Sequence, residues 1–374
     1  MFKRNNLKYI SLALATLFCF HWVLTVFHPS SSFSKPWTGL LEPEINGEVL
    51  IPSQHAKQIG KAKACFVILI RNHDLHEFRW TMRQLEDRFN KKYNYPYVFL
   101  NDVPFTEEFK KLSSALTNAK TEYGLIPTEH WSVPKDIDMD LVNKNMAKMK
   151  EEDVIYGDSL PYRHMCRFES GFFYRHELLD KYDFYWRVEP GVQFFCDIDF
   201  DPFMYLKEND IKYTFTVSLY EYQKTIPTLW DSVKEFMKKY PQYIEKDNSI
   251  EFISDDNGET YNLCHFWSNF EIADLNFLRS EAYMKFFDFL DKKGGFFYER
   301  WGDAPVHSIA AALFLKKHQI HFFNEIGYKH DPFMHCPAEE TLQMKCHCDP
   351  GESFDYKGYS CTGNYLELKK KWNN

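Results

Sequence analysis

Residues 62–72 read AKACFVILIRN, a nearly unbroken apolar run that ends in Arg71 and Asn72. A run this short and this apolar is what a strand buried on both faces of a sheet requires. HEFRWTMRQLEDRFN (76–90) follows with helical spacing, and YPYVFLND (95–102) reads as a second strand ending in polar residues. Strand, helix and strand at this spacing predict a βαβ start and an α/β fold that holds its ligands at the carboxyl ends of the strands. No Gly-x-Gly-x-x-Gly or Gly-x-x-x-x-Gly-Lys occurs, so neither a dinucleotide fingerprint nor a P-loop is present.

Upstream, residues 9–27 (YISLALATLFCFHWVLTVF) contain no charged residue and follow Lys3, Arg4 and Lys8. About 20 apolar residues cross a bilayer, and a basic flank stays cytosolic. The reading is a tail (1–8), a transmembrane signal anchor (9–27), a stem (28–60) and one lumenal domain (61–374). A cleaved signal peptide is the rival, but its small-x-small triplet, Ala13-Leu14-Ala15, falls in the middle of the apolar run.

Beyond the anchor stand eight cysteines, an even set that suits disulfides in an oxidising compartment. Cys336, Cys346, Cys348 and Cys361 read as a stapled tail rather than a zinc cluster. The net charge of −8, with acids and bases interspersed, leaves no basic stripe for nucleic acid.

Downstream, DFYWRVE (183–189) is a further strand candidate, ended by Pro190. Residues 226–245 read as helical up to Pro241, and RWGDAPVHSIAAALFLKK (300–317) as a turn feeding a helix with Pro305 in its first turn. Four stretches offer chemistry. CDIDFDPF (196–203), as a strand, places Asp197, Asp199 and Asp201 on one face, and Asp-x-Asp spacing suits a hard cation holding a diphosphate. Glu189 sits at a strand end with Arg187 two residues before it. CHFWSNFE (264–271) sets Glu271 among aromatics, where a carboxylate is costly unless partnered or used, as base or nucleophile. Around the turn of FYERWGDAPVH (297–307) stand Glu299, Arg300, Asp303 and His307, with Asp303 a candidate helix cap, and GYKHDPFMHC (327–336) adds His330 and His335.

Together VEPGVQFFCDIDFDPF, TIPTLWDSV, CHFWSNFEI, GGFFYERWGDAPVHS and NEIGYKHDPFMHC resemble the fungal Golgi α-1,2-mannosyltransferases of glycosyltransferase family 15. The likeness runs from about residue 61 to 361. It implies a GT-A-like α/β domain with a mixed central sheet flanked by helices, Mn²⁺, a GDP-mannose donor and transfer with retention. The implied acceptors are mannose residues of O-linked or N-linked glycans on secretory glycoproteins, with a transferase complex as a further possible partner. The resemblance puts the metal on Glu189 and His330, makes Glu271 the nucleophile, and gives Tyr162 of LPYRH and Asp303 donor or acceptor contacts. Glu221 of SLYEY falls in another family motif and is the alternative metal carboxylate. One departure stands out: Gly191 occupies the place where Glu-Pro-Asp leads one to expect an acid. That departure raises the alternative of a weakened member that binds mannan or a partner without catalysis.

Overall fold

The computed structural model describes residues 60–372. The expected tail, anchor and nearly all of the stem lie outside the described residues, and among those described no helix is long and apolar enough to cross a membrane. The strands are β1 (Ala64–Leu69), β2 (Tyr97–Asn101), β3 (Thr121–Leu125), β4 (Phe184–Arg187), β5 (Gln193–Phe194), β6 (Tyr213–Phe215), β7 (Ser218–Tyr220), β8 (Cys264–Phe266), β9 (Glu271–Asp274), β10 (Ile320–Phe322), β11 (Tyr328–His330) and β12 (Phe333–His335). Seven of them form the central sheet in the order β10-β6-β9-β4-β1-β2-β3. The sheet is mixed because β9 runs antiparallel between β4 and β6, while β1 is parallel to both β2 and β4.

The helices that shape the site are α1 (Leu75–Leu85), α2 (Leu160–Gly171), α3 (Pro202–Glu208), α4 (Leu229–Lys239), α5 (Glu281–Lys293), α6 (Asp303–Phe314) and α7 (Thr362–Trp372). Leu75, Phe78, Met82 and Leu85 recur every three or four residues and bury one stripe of α1 on the sheet. The helix predicted over 76–90 is present, widening after Leu85 into a π-type turn over Glu86–Asn90. In α2, Ser159 caps the first turn by accepting from the Tyr162 N–H at 3.2 Å. Helix α6 is buried from Asp303 through Leu313, so it runs through the interior rather than along the surface. Its two ionisable residues, Asp303 and His307, therefore require partners. Along β4 the side chains alternate, Tyr185 entering the core with α2, α5 and α6 and Trp186 the core with α1.

Two expectations are corrected here. CDIDFD is not a strand presenting three acids on one face: β5 ends at Phe194, because the disulfide of Cys196 with Cys346 and an isolated bridge between the same two residues pull the chain onto the tail. Asp197 pairs with Arg88 at 3.0 Å, Asp199 with Lys345, and buried Asp201 caps α3 while accepting from the Tyr95 hydroxyl at 2.6 Å. Asp303 is not a helix cap either, since Gly302 holds that position and the Asp303 side chain turns inward. Two further disulfides, Cys264–Cys361 and Cys336–Cys348, staple the C-terminal segment as expected; Cys65 and Cys166 are buried thiols.

Candidate active site

The polar residues gather where β4 delivers its carboxyl end and β9 begins. Arg187 closes β4 and is the cross-strand partner of Glu271 in β9. Its guanidinium is buried and forked: Nη1 donates to Asp303 Oδ2 at 2.6 Å and Nη2 to Glu189 Oε1 at 2.6 Å. A third carboxylate, Glu169 of α2, stands 3.9 Å away. Burial raises the Glu169 carboxyl to about 7, the nearby acids adding to a rise that Arg187 only partly opposes. Asp303 also accepts from the Ser268 hydroxyl at 2.6 Å; burial works to raise its pKa, but Arg187 and its other partners outweigh it and hold the carboxyl below the usual range.

Glu189 turns its other oxygen toward His330, with Oε2 and Nε2 3.4 Å apart. The far side of this imidazole fixes its state: Nδ1 faces the Asp331 carbonyl at 3.0 Å, an acceptor only, so Nδ1 carries hydrogen. Nε2 then presents either a lone pair or a second proton to the carboxylate. Burial would raise the Glu189 carboxyl, but Arg187 and His330 overcome it and lower the pKa; for His330 burial lowers and Glu189 more than restores it. One lone pair on nitrogen and one on oxygen at this separation fit a divalent cation that takes its remaining ligands from elsewhere.

Glu271 lies deeper, with no solvent exposure. Its oxygens accept from the hydroxyls of Tyr185 and Tyr213, each at 2.6 Å, and face His307 Nδ1 at 2.6 Å. The other nitrogen of His307 faces the Glu169 carbonyl at 3.1 Å and must donate to it. Burial lowers the His307 pKa, yet Glu271 and Asp303 raise it further, so the ring tends toward the doubly protonated form.

On the same wall, the half-buried Tyr162 packs its ring 5.2 Å from the Arg300 guanidinium carbon, and Arg300 Nη2 lies 3.7 Å from Glu221 Oε1. Arg300 Nε is buried without a hydrogen-bond partner among the described residues. Glu189, His330 and Asp303 are thus brought to one corner around Arg187, with Glu271 behind it, while Tyr162 and Glu221 are joined through Arg300. His335 is elsewhere, fully buried against Asp355.

The profile of the family "Glycolipid 2-alpha-mannosyltransferase" matches residues 41–370. The chain belongs to this family. It is similar to glycolipid 2-alpha-mannosyltransferase 2 of Candida albicans, 57% identical over 309 residues that make up 82% of this chain and 67% of that one. It is 54% identical to the O-glycoside alpha-1,2-mannosyltransferase omh1 of Schizosaccharomyces pombe, over 84% of this chain and 82% of the other. Among solved structures it resembles core-mannan synthase A of Aspergillus fumigatus in its Mn/GDP form, with a TM-score of 0.78, 41% identity and coverage of 89% and 91% of the two chains.

The mixed sheet is therefore that of a glycosyltransferase fold, and the chain is an α-1,2-mannosyltransferase. Within this mannosyltransferase, Glu169, Tyr185 and Tyr213 were not singled out by sequence. For Glu169 a signal existed: it follows Tyr162 by seven residues and Cys166 by three, a helical spacing, and so lies on the face of α2 that carries Tyr162. Tyr185 and Tyr213 offered none, because a tyrosine in an apolar strand reads as core.

Proposed function

We propose that the enzyme transfers mannose from GDP-mannose to mannose residues of glycoprotein glycans with retention, using Mn²⁺. The carrying observation is the Glu189–His330 pair: a carboxylate oxygen and an imidazole nitrogen 3.4 Å apart, oriented by Arg187 and by the Asp331 carbonyl. Glu189 and His330 would hold the cation, which when bound supplies charge stabilisation for the departing GDP. Glu221 lies against Arg300 rather than His330, so Glu189 is the better fit to the metal and Glu221 to a sugar hydroxyl.

The chain's own residues prepare the rest. Arg187 keeps Asp303 and Glu189 ionised and in register, and Asp303 and Tyr162 line the space for the donor or acceptor sugar. Mannose C1 gains positive character as GDP leaves, and Glu271 is the carboxylate assigned to that charge, by attack or by electrostatic stabilisation. Three donors already engage its oxygens. That arrangement favours electrostatic stabilisation, since attack requires one of these bonds to open.

Three disulfides support a secretory location, and we place the enzyme as a type II protein of the Golgi membrane with its catalytic domain in the lumen. A purely binding role, which Gly191 raises, is not favoured: the relatives described above are transferases. Glu271→Gln tests the reading directly. Transfer to α-methyl mannoside should be lost while GDP binding stays nearly intact, and full activity in this variant would remove Glu271 from the mechanism.

A further inference from the structure

Glu77 stands in the first turn of α1, close to the carboxyl end of β1, and its carboxylate reaches the loop that follows Glu189. The chain passes through Gly191 with φ +80°, a conformation side chains rarely adopt. A Cβ built at position 191 would lie 2.8 Å from Glu77 Oε1, so the carboxylate occupies the space that a side chain there would fill. Two more residues of α1 hold the same segment: Thr81 Oγ1 donates to the Val192 carbonyl at 3.0 Å, and Gln84 Oε1 accepts from the Phe194 N–H at 3.1 Å. Positions 77, 81 and 84 share one helix face, so α1 meets the segment leaving Glu189 at three successive points.

Glu77 is exposed, and among the described residues no cation or hydrogen-bond donor engages it. A negative charge is thereby aimed at the backbone two residues beyond Glu189 with nothing to neutralise it. A surface glutamate could hold such a position by chance. The coupling to a glycine with left-handed geometry is what sets this one apart, since any larger residue at 191 would displace the carboxylate.

We propose that Glu77 supplies the outer carboxylate of the metal site, standing in for the acid that position 191 lacks. It is a positioning residue that accepts from the hydration shell of the cation and adds negative potential, without joining the direct ligands. The proposal rests on the assignment of Glu189 and His330 as the protein's metal ligands.

The test measures Mn²⁺ affinity of the full-length protein in detergent, with GDP present, from the electron paramagnetic resonance signal of free Mn²⁺. Glu77→Gln and Glu77→Ala should each weaken Mn²⁺ binding by about 10-fold, the scale of a lost outer-shell partner, with unchanged thermal melting. Adding Gly191→Asp to Glu77→Ala should recover most of that loss, and Glu189→Ala should abolish GDP-dependent Mn²⁺ binding. Affinity within about twofold of wild type in Glu77→Ala, beside a null Glu189→Ala, would overturn the role of Glu77 alone. Intact binding in Glu189→Ala would overturn the metal assignment and this proposal with it. A weakened Glu77→Ala that Gly191→Asp fails to recover would overturn the equivalence of the two positions.

Discussion

Arg187 and Glu271 face each other across the antiparallel β4–β9 pair, and α6 answers both: Asp303 meets Arg187 at 2.6 Å, and His307, one turn later, meets Glu271 at 2.6 Å. A helix acid and a helix base four residues apart thus match a strand base and a strand acid. All four are buried, where an unpaired ion costs several kcal/mol. Arg187→Met leaves Glu189, Asp303 and Glu169 together without their cation. The expected loss is about 3–5 kcal/mol of unfolding free energy, measured by urea denaturation. Adding Asp303→Asn should return part of it. A single-variant loss below about 1 kcal/mol would show that Arg187 is not the hub of this cluster.

His335 carries a pH dependence of opposite habit to that of a carboxylate. Its Nδ1 faces Asp355 Oδ2 at 2.7 Å and its Nε2 faces the Asn324 carbonyl at 2.9 Å, so both nitrogens have acceptors. Burial lowers the pKa, Asp355 and the carbonyl raise it more, and the folded value ends above the ordinary one. Its stabilisation is then complete below about pH 6.5, the unfolded value, and is lost as pH rises through the folded one. His307 and His330 are shifted in the same direction, so the wild type alone does not isolate the effect. His335→Gln should cost about 1.5–3 kcal/mol at pH 6, with a gap to wild type that narrows toward pH 9. A gap that widens with pH would reverse the assignment.

The elements read from periodicity were those whose own residues decide them. β1 is apolar because both its faces are covered, and α1 repeats its apolar residues because one stripe is buried. Asp197, Asp199 and Asp201 misled because spacing along a strand has meaning only if the strand exists, and here β5 stops at Phe194, just ahead of a cysteine bonded to Cys346, 150 residues further on. Asp303 read as a cap from its place before an apolar helix; its real partner, Arg187, lies 116 positions earlier in the chain. The closure of Glu271 was illegible for the same reason, being made by Tyr185, Tyr213 and His307 from three separate elements. Gly191 was legible as a departure, while its neighbour Glu77 comes from a helix that sequence alone does not place beside it.

The Cys264–Cys361 disulfide ties the start of β8 to the segment before α7 across 97 residues. Closing a loop of that length removes about 4.7 kcal/mol of chain entropy from the unfolded state in the simplest treatment. Backbone bonding repeats the link, since the Cys361 N–H donates to the Ser218 carbonyl at 3.0 Å on the strand paired with β8. Cys264→Ala with Cys361→Ala should therefore lower the unfolding free energy by about 2–5 kcal/mol while the folded enzyme keeps its GDP affinity. Loss of GDP affinity in the folded variant would show that the staple also shapes the site.

Tyr185 and Tyr213 test what Glu271 does. Each phenylalanine substitution removes one donor from the carboxylate and leaves the ring volume in place, so packing of β4 and β6 is preserved. A hydrogen bond to a charged group contributes about 1.5–3 kcal/mol, and each variant should lose stability on that scale. Neither hydroxyl touches Glu189 or His330, the pair proposed to hold the metal, so GDP affinity should stay within about twofold of wild type. If Glu271 steadies the developing charge on C1, its alignment matters in the transition state alone. The value of kcat should then fall by about 10-fold or more with little change in KM for the donor. Unchanged kcat in both variants, with folding intact, would separate Glu271 from the transfer step and leave it as the buried counter-charge of His307.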